Sequence, residues 1–298
     1  MRELPAVMML KAIVKTARPH HWIKNLVVFA ALVFARKFAD PVSVVLAVKG
    51  FVAFCLTASA VYYLNDLADF KKDQLHPLKK SRPIASGQMN AGLAWAIALI
   101  LLGAGMLVSL SLGREFIGCF VLYVILNIGY NLGLKNVVII DVMVLGTGFV
   151  VRAAAGAAAI TVPISSWLLI CTILLALFLG FAKRRHEIMI LGDTAVSHRQ
   201  SLAHYSPYFL DQMISVVTAS TVVAYTFYTL SPEVHEKFGS GDLVLTVPFV
   251  LYGIFRYLYL VHQKDKGGSP TRLLITDAPL LACVGLWVVA VLLIIQLK

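Results

Sequence analysis

Nine stretches of this chain are apolar for long enough to cross a bilayer, or nearly so, and that recurrence limits the fold more than any single residue does. They cover approximately residues 20–37, 43–65, 91–112, 115–134, 137–160, 164–182, 207–230, 243–262 and 278–297. About 20 apolar residues wound as a helix span the hydrocarbon core. Lipid offers no partner to a backbone N–H or C=O, so each stretch must close its own hydrogen bonds as a helix. Pro19 suits the first turn of the first helix, and Pro41, Pro163, Pro207 and Pro279 stand at the starts of others. No long linker divides the chain. The expectation is therefore an all-α polytopic membrane protein of nine transmembrane helices, forming a single domain over residues 1–298. Composition agrees: 59% of residues are hydrophobic and the mean hydropathy is +0.83, well above the level of a soluble domain.

Charge gives the expected orientation. The net charge is +11 although only 14% of residues are charged. With a cytoplasmic N-terminus, the tail and the regions after helices two, four, six and eight hold 19 of the 26 Lys and Arg residues, counting Lys24 and Arg256 toward the cytoplasmic ends of their spans. The other side holds Arg36, Lys37, Arg114, Lys237 and Lys298, while Lys49 and Arg152 lie within spans. The positive-inside bias then predicts an inner-membrane protein with its N-terminus in the cytoplasm and its C-terminus outside. The bases sit between apolar segments and form no continuous stripe, which argues against nucleic acid as a partner. Cys55, Cys119, Cys171 and Cys283 occupy separate apolar segments without metal or redox spacing, so they read as small buried hydrophobes. The basic N-terminus lacks a small-residue cleavage site after a short apolar core, so no removed signal peptide is expected.

The chemistry concentrates at the end of the second span, in Asn65-Asp66-Leu67-Ala68-Asp69-Phe70-Lys71-Lys72-Asp73. At about 100° per residue, Asn65, Asp66, Asp69 and Asp73 fall within a roughly 100° arc of one helix face. Carboxylates at that spacing repel one another, and a shared cation relieves the repulsion. All-oxygen donors favour Mg²⁺, usually with substrate phosphates completing its shell. The bland alternative is a solvated helix end. Against it stand the bases that follow at once, Lys79, Lys80 and Arg82, before the turn Pro83-Ile84-Ala85-Ser86-Gly87. Acids for a metal beside bases for phosphate suggest a diphosphate site.

Further polar clusters fall on the same expected side. Tyr130-Asn131-Leu132-Gly133-Leu134-Lys135 follows the fourth span and Lys183-Arg184-Arg185-His186-Glu187 the sixth. Lys183 and Glu187 share a helix face and could form a local ion pair, and the three bases could be ordinary membrane anchors. In the fifth span Asp141 and Arg152 lie three turns apart on one face, among the small residues Gly146, Gly148, Ala153, Ala154, Ala155 and Gly156. Both charges are costly in lipid unless they face the interior; a buried structural pair and ligand contact are both open. Lys24, in Arg18-Pro19-His20-His21-Trp22-Ile23-Lys24-Asn25, would sit at headgroup depth, where snorkelling is the simple explanation.

The Asn65–Asp73 run resembles the Asn-Asp-x-x-Asp-x-x-x-Asp motif of the UbiA superfamily of intramembrane prenyltransferases, and the helix pattern extends the likeness over nearly the whole chain. The resemblance implies a ring of helices around a central cavity, open to the cytoplasm and laterally to lipid, with Mg²⁺ bridging aspartates to a diphosphate. It assigns the metal to Asp66, Asp69 and Asp73, with Asp66 and Asp69 closest and Asn65 assisting. Prenyl-transferring members carry a second aspartate-rich motif after helix six; this chain has Lys183-Arg184-Arg185-His186-Glu187 there. That departure is similar to the decaprenyl-phosphate phosphoribosyltransferase branch. The likeness includes Arg18-Pro19-x-x-Trp22-x-Lys24-Asn25, Tyr130 to Lys135, Asp141 with Arg152-Ala153-x-Ala155-Gly156, and Lys183-Arg184-x-x-Glu187. In that branch phosphoribosyl pyrophosphate is the donor and a polyprenyl phosphate the acceptor.

The implied catalytic set is Asp66, Asp69, Asp73 and Lys183. The implied substrate-binding set is Lys24, Asn65, Lys79, Lys80, Arg82, Tyr130, Lys135, Asp141, Arg152, Arg184 and Glu187, with homo-oligomerisation left open. Lys and Arg in place of a second acidic motif suit a cavity that holds two anionic substrates. The lipid tail is expected to leave sideways between helices, giving weak selection for its length. The alternatives are prenyl transfer to an aromatic quinone precursor, and a membrane transporter or lipid-binding protein. The basic segment after helix six argues against the first. Metal-type carboxylates on one side alone argue against alternating access.

Overall fold

The structure is a computed structural model that describes residues 6–75, 79–191, 200–238, 241–264 and 267–296. Among these residues it is helical, without a strand. The helices are α1 Ala6–Ala17, α2 Ala30–Phe34, α3 Pro41–Ala68, α4 Phe70–Leu75, α5 Ala91–Leu110, α6 Arg114–Leu132, α7 Ile140–Ala159 and α8 Ser166–Leu191. After these come α9 Pro207–Leu230, α10 Pro232–Phe238, α11 Val247–Gln263, α12 Pro270–Thr276 and α13 Ala278–Gln296. Eight helices among the described residues are long and apolar enough to cross a membrane: α3, α5, α6, α7, α8, α9, α11 with the 3₁₀ turn before it, and α13. Seven of them lie within a few residues of an expected span; α8 starts near the expected 164 but runs on to Leu191, well past the expected end at 182, so that Lys183 to Glu187 lie inside the helix. The remaining segment, expected at 20–37, consists of a 3₁₀ helix, Pro19–Phe29, continued by the five residues of α2. Lys298 lies outside the described residues.

The contacts divide the chain into two compact units, residues 1–134 with 151–163, and residues 135–150 with 164–298. In the first unit α3 is the inner helix: 56% of its apolar window is buried in protein, against 22% and 17% for α5 and α6. Asp40 caps α3, its carboxylate accepting from the N–H groups of Val42 and Ser43 and from the Ser43 hydroxyl (2.6 Å). Phe54 of α3 meets Phe116 and Tyr123 of α6 edge-on, with ring centroids 5.7 and 5.2 Å apart. Helix α1 is tied to α3 by the Tyr63 hydroxyl, which donates to Ile13 O (2.8 Å).

Small residues bring backbones together where lipid supplies no hydrophobic drive between helices. Gly156 is the sharpest case: a Cβ there would stand 2.1 Å from the carbonyl oxygen of Val28. Gly156 is thus the point at which the Pro19–Phe29 helix, packed mainly on α3, meets α7.

In the second unit α8 and α9 pack along each other, burying Phe178, Phe181, Leu210 and Ile214 with Val142 and Tyr257. Ser206 caps α9 by accepting from Phe209 N–H (3.1 Å), with Pro207 at the first helical position. Arg256 of α11 makes a two-pronged pair with Asp277 (3.0 and 2.9 Å), and Asp277 also accepts from the Leu280 N–H at the start of α13.

The contact at Val28 is testable. Gly156→Ala forces an overlap that costs about 1–3 kcal/mol and lowers the thermal midpoint in detergent. Gly118→Ala, where a Cβ meets nothing within 4 Å, leaves that midpoint unchanged or raised.

Candidate active site

The acidic run opens at the C-terminal end of α3. Asp66 and Asp73 are buried, with side chains only 2% and 3% exposed. An unpaired carboxylate at such depth is strongly disfavoured, and two arginines meet the requirement. Arg18 Nη2 lies 2.6 Å from Asp66 Oδ1, and Arg82 Nη1 lies 3.0 Å from the same oxygen. Arg82 Nη1 is also 2.5 Å from Asp73 Oδ2. One guanidinium nitrogen therefore bridges the two carboxylates. A cavity of about 280 Å³ opens beside them, lined by Lys15, Arg18, His20, His21, Asp66, Arg82 and Pro83.

Arg18 is a residue that the sequence-derived set omits. Its backbone is left-handed, with φ 52° and ψ 57°, a conformation costing roughly 1–3 kcal/mol for a residue with a side chain. The turn directs the guanidinium over the face of Tyr62, 4.8 Å from the ring centroid, and onto Asp66. A residue directly before proline ordinarily adopts extended backbone, so the left-handed turn at Arg18 had no sequence signal.

The other expected residues of this unit surround the same helix ends. Asn65 accepts a hydrogen bond from the Asn131 side chain, joining α3 to the end of α6 next to Tyr130. Asp69 ends α3, and its carbonyl accepts from Asp73 N–H (2.8 Å). Lys79 is half-buried and Lys80 exposed, in a short 3₁₀ turn ahead of Arg82. Lys24 is half-buried in the Pro19–Phe29 helix. That helix is fixed by Trp22 Nε1 donating to Ser59 Oγ (3.0 Å) and by Asn25. Arg152 donates to Asn25 Oδ1 (3.1 Å) and lies over the Tyr123 ring, 5.2 Å from its centroid.

Asp141 and Arg152 are not a pair with each other. Eleven residues of helix separate them by about 16 Å along the axis, so sharing a face brings no contact. Asp141 belongs to the second unit, where Arg184 Nε lies 2.8 Å from its Oδ2. Tyr205 OH donates to Asp141 Oδ1 (2.7 Å). Ser201 Oγ lies 3.4 Å from Oδ2 and donates to Lys135 O (3.1 Å). The Tyr205 oxygen also accepts from Ile139 N–H at 2.6 Å, which secures a left-handed isoleucine (φ 67°). Burial, and then the bond given to Asp141, push the Tyr205 hydroxyl above the usual phenol range, so it remains a donor at neutral pH. Neither Ser201, in the 3₁₀ turn Gln200–His204, nor Tyr205, just after it, carried a sequence signal; folding brings both to Asp141.

Arg184 is itself buried, 2% exposed, and also pairs with Glu187. Lys183 is the more open base, 41% exposed, with Nζ 3.8 Å from Glu187 Oε1. Of the three consecutive bases, Arg185 turns to Asp211 (2.6 Å).

Among the described residues no three His, Cys, Asp or Glu side chains are grouped to hold a metal. Mg²⁺ does not require such a cage, since one or two carboxylates plus substrate phosphates commonly suffice. Asp66 Oδ1 and Asp73 Oδ2 already share one cationic nitrogen. Their all-oxygen character and convergence fit a hard dication.

Comparisons with known proteins place these features in a family. Residues 26–275 match the UbiA prenyltransferase family. A decaprenyl-phosphate phosphoribosyltransferase of Corynebacterium glutamicum is 31% identical, the match covering 95% of this chain and 86% of that protein. The enzyme of the same name from Mycobacterium tuberculosis is 30% identical over 96% of this chain and 95% of its own length. A solved UbiA homolog from Archaeoglobus fulgidus, bound to GPP and Mg²⁺, superposes with a TM-score of 0.74 at 17% identity, covering 96% of this chain and 99% of that one. At that identity the superposition establishes the fold.

The buried pair in the second unit gives a clear expectation. Removing one member of a buried ion pair costs about 3–5 kcal/mol, whereas neutralising both costs far less. Arg184→Gln lowers the thermal midpoint in detergent sharply, and Asp141→Asn with Arg184→Gln recovers most of the loss. An Arg184 held ready only for ligand predicts no change in either protein.

Proposed function

The chain belongs to the UbiA prenyltransferase family, and on that premise we propose that it transfers a 5-phosphoribosyl group from phosphoribosyl pyrophosphate to a polyprenyl phosphate. The observation that carries the reading is the cavity lined by Asp66, Arg18 and Arg82, with Asp73 joined to it through Arg82. It occurs in a chain whose relatives over nearly its full length bear the name decaprenyl-phosphate phosphoribosyltransferase.

In this reaction a phosphate oxygen of the lipid attacks the anomeric carbon as the bond to pyrophosphate breaks. One new C–O bond replaces one lost, and configuration inverts. The acceptor is anionic at neutral pH, so no strong base is required. Asp66, Asp69 and Asp73 would hold Mg²⁺, which on binding offsets the charge of the departing pyrophosphate. Asn65, Lys24, Lys79, Lys80 and Arg82 are proposed to bind and orient the donor phosphates. Tyr130, Lys135, Lys183 and Glu187 are assigned, from the motif likeness, to remaining phosphate or ribose groups. Arg184 and Asp141 act through their mutual pair, setting the position of Glu187 and of the loop before α7. Arg152 acts through Asn25, fixing the helix that bears Lys24.

The same reading takes residues 1–298 as one catalytic domain with its N-terminus and site on the cytoplasmic side. It also makes Pro19–Phe34 a ninth crossing. Eleven 3₁₀ residues rising about 2.0 Å each, followed by five α-helical residues at about 1.5 Å each, span about 30 Å, a full hydrocarbon core. Prenyl transfer to an aromatic acceptor is the second reading, favoured by the fold shared with a homolog bound to GPP.

One experiment separates the two. Purified protein is incubated with labelled phosphoribosyl pyrophosphate, Mg²⁺ and polyprenyl phosphates of short, medium and long chain. Label enters the lipid phase with each, with little preference for length, and chelation with EDTA abolishes it. Label passing instead from a prenyl diphosphate to an aromatic would establish the second reading.

A further inference from the structure

Arg18 and Arg82 do more than balance charge at the acidic motif. Both bear on one oxygen, Asp66 Oδ1, at 2.6 and 3.0 Å, and Arg82 continues to Asp73 at 2.5 Å. Two carboxylates and two guanidiniums thus form a neutral cluster on atoms that a dication would need. The carboxylates are buried, but Arg18 and Arg82 remain 19% and 25% exposed and line the cavity. The acids are fixed on the helical stretch 65–73, while the bases enter from loops with room to turn.

We propose that Arg18 and Arg82 are exchangeable counter-ions, which release Asp66 and Asp73 to the metal and take up the diphosphate, so that the site binds metal and diphosphate together and either one poorly alone. Three cases follow from the charges. A dication arriving alone must evict Arg82 from between the carboxylates and then sit beside two guanidiniums with no anion to receive them. A diphosphate arriving alone draws the arginines away and leaves Asp66 buried without a cation, a strongly disfavoured arrangement. When both arrive, the metal takes the carboxylate oxygens and the guanidiniums take phosphate oxygens in two-pronged contacts. Each buried charge then keeps a partner throughout.

The left-handed backbone at Arg18 fits this role. It directs the side chain to Asp66 across the cavity mouth, and the Tyr62 face beneath it gives the guanidinium a surface to rest on. Lys15, on the preceding turn of α1, lines the same cavity and adds positive potential for the incoming anion.

The inference deepens the assignment of the acidic motif to a diphosphate but uses neither ribose nor lipid. Its test therefore needs only inorganic pyrophosphate and Mn²⁺ or Mg²⁺ with the full-length protein in detergent. Equilibrium dialysis measures Mn²⁺ binding alone, and labelled pyrophosphate binding with and without saturating Mg²⁺. In the wild type Mg²⁺ tightens pyrophosphate binding at least roughly tenfold, within the usual range of coupling between ligands. Arg18→Gly, whose glycine adopts the left-handed backbone without strain, binds Mn²⁺ alone about tenfold more tightly than the wild type on the same scale. Its Mg²⁺-dependent gain for pyrophosphate falls below about threefold.

Arg82→Gln behaves in the same direction and serves as the second variant if Arg18→Gly fails to fold. The proposal is overturned if the wild type binds Mn²⁺ as tightly alone as with pyrophosphate. It is equally overturned if folded variants bind both probes as the wild type does, since the arginines would then be permanent struts. A failed phosphoribosyl transfer assay with intact coupling would count against the donor assignment and leave this mechanism standing.

Discussion

Charge taken out of water must be matched, and in this protein that requirement organises both regions of interest. Asp66 and Asp73 are met by Arg18 and Arg82, and Asp141 by Arg184. In each region the cation comes from a different stretch of chain than the anion. Arg18 to Asp66 and Arg184 to Asp141 close long stretches of chain, whereas Arg82 closes a short loop back onto Asp66 and Asp73. The Asp141 pairing recruits Tyr205 and Ser201, which hold the carbonyl of Lys135 and the N–H of Ile139. The two regions differ in accessibility. Arg184 is sealed with its partner, whereas Arg18 and Arg82 border an open cavity. The first arrangement suits a fixed joint, the second an exchange of partners.

The membrane-crossing helices were legible because hydropathy and length determine them without reference to any partner. Seven of the expected spans have their helix within a few residues of the expected limits, and α8 runs past its expected end because Lys183 to Glu187 continue the helix. Capping was legible for the same reason: Pro41 after Asp40 and Pro207 after Ser206 are local chemistry. The acidic run was read as one helix face, but only Asn65 and Asp66 lie on α3; Asp69 ends that helix and Asp73 belongs to α4.

What could not be read was pairing between helices. Sharing a face suggested that Asp141 and Arg152 belong together, but face says nothing of distance along the axis. Each found its partner on another segment, Arg184 for one and Asn25 with Tyr123 for the other. Arg18 stood in a motif yet outside the sequence-derived site, because its significance lies in one backbone angle. The tight 3₁₀ winding of Pro19–Phe29 was likewise hidden, since apolar content is the same for either kind of helix.

The contact between Gly156 and the Val28 carbonyl has a mechanical consequence. A carbonyl oxygen lodged against a bare Cα acts as an index pin. Sliding the segment along α7 by about one turn would present Ala153 or Ala159, and turning the helix by one residue would present Ala155 or Ala157, each with a methyl group where the oxygen now sits. Rotation about the α7 axis is blocked by the same methyls. Most apolar packing tolerates such slippage, because one aliphatic surface resembles the next. Here a single missing side chain selects one register, and through Arg152, one turn before it on the same helix, it sets the height at which Asn25 and the helix carrying Lys24 are held.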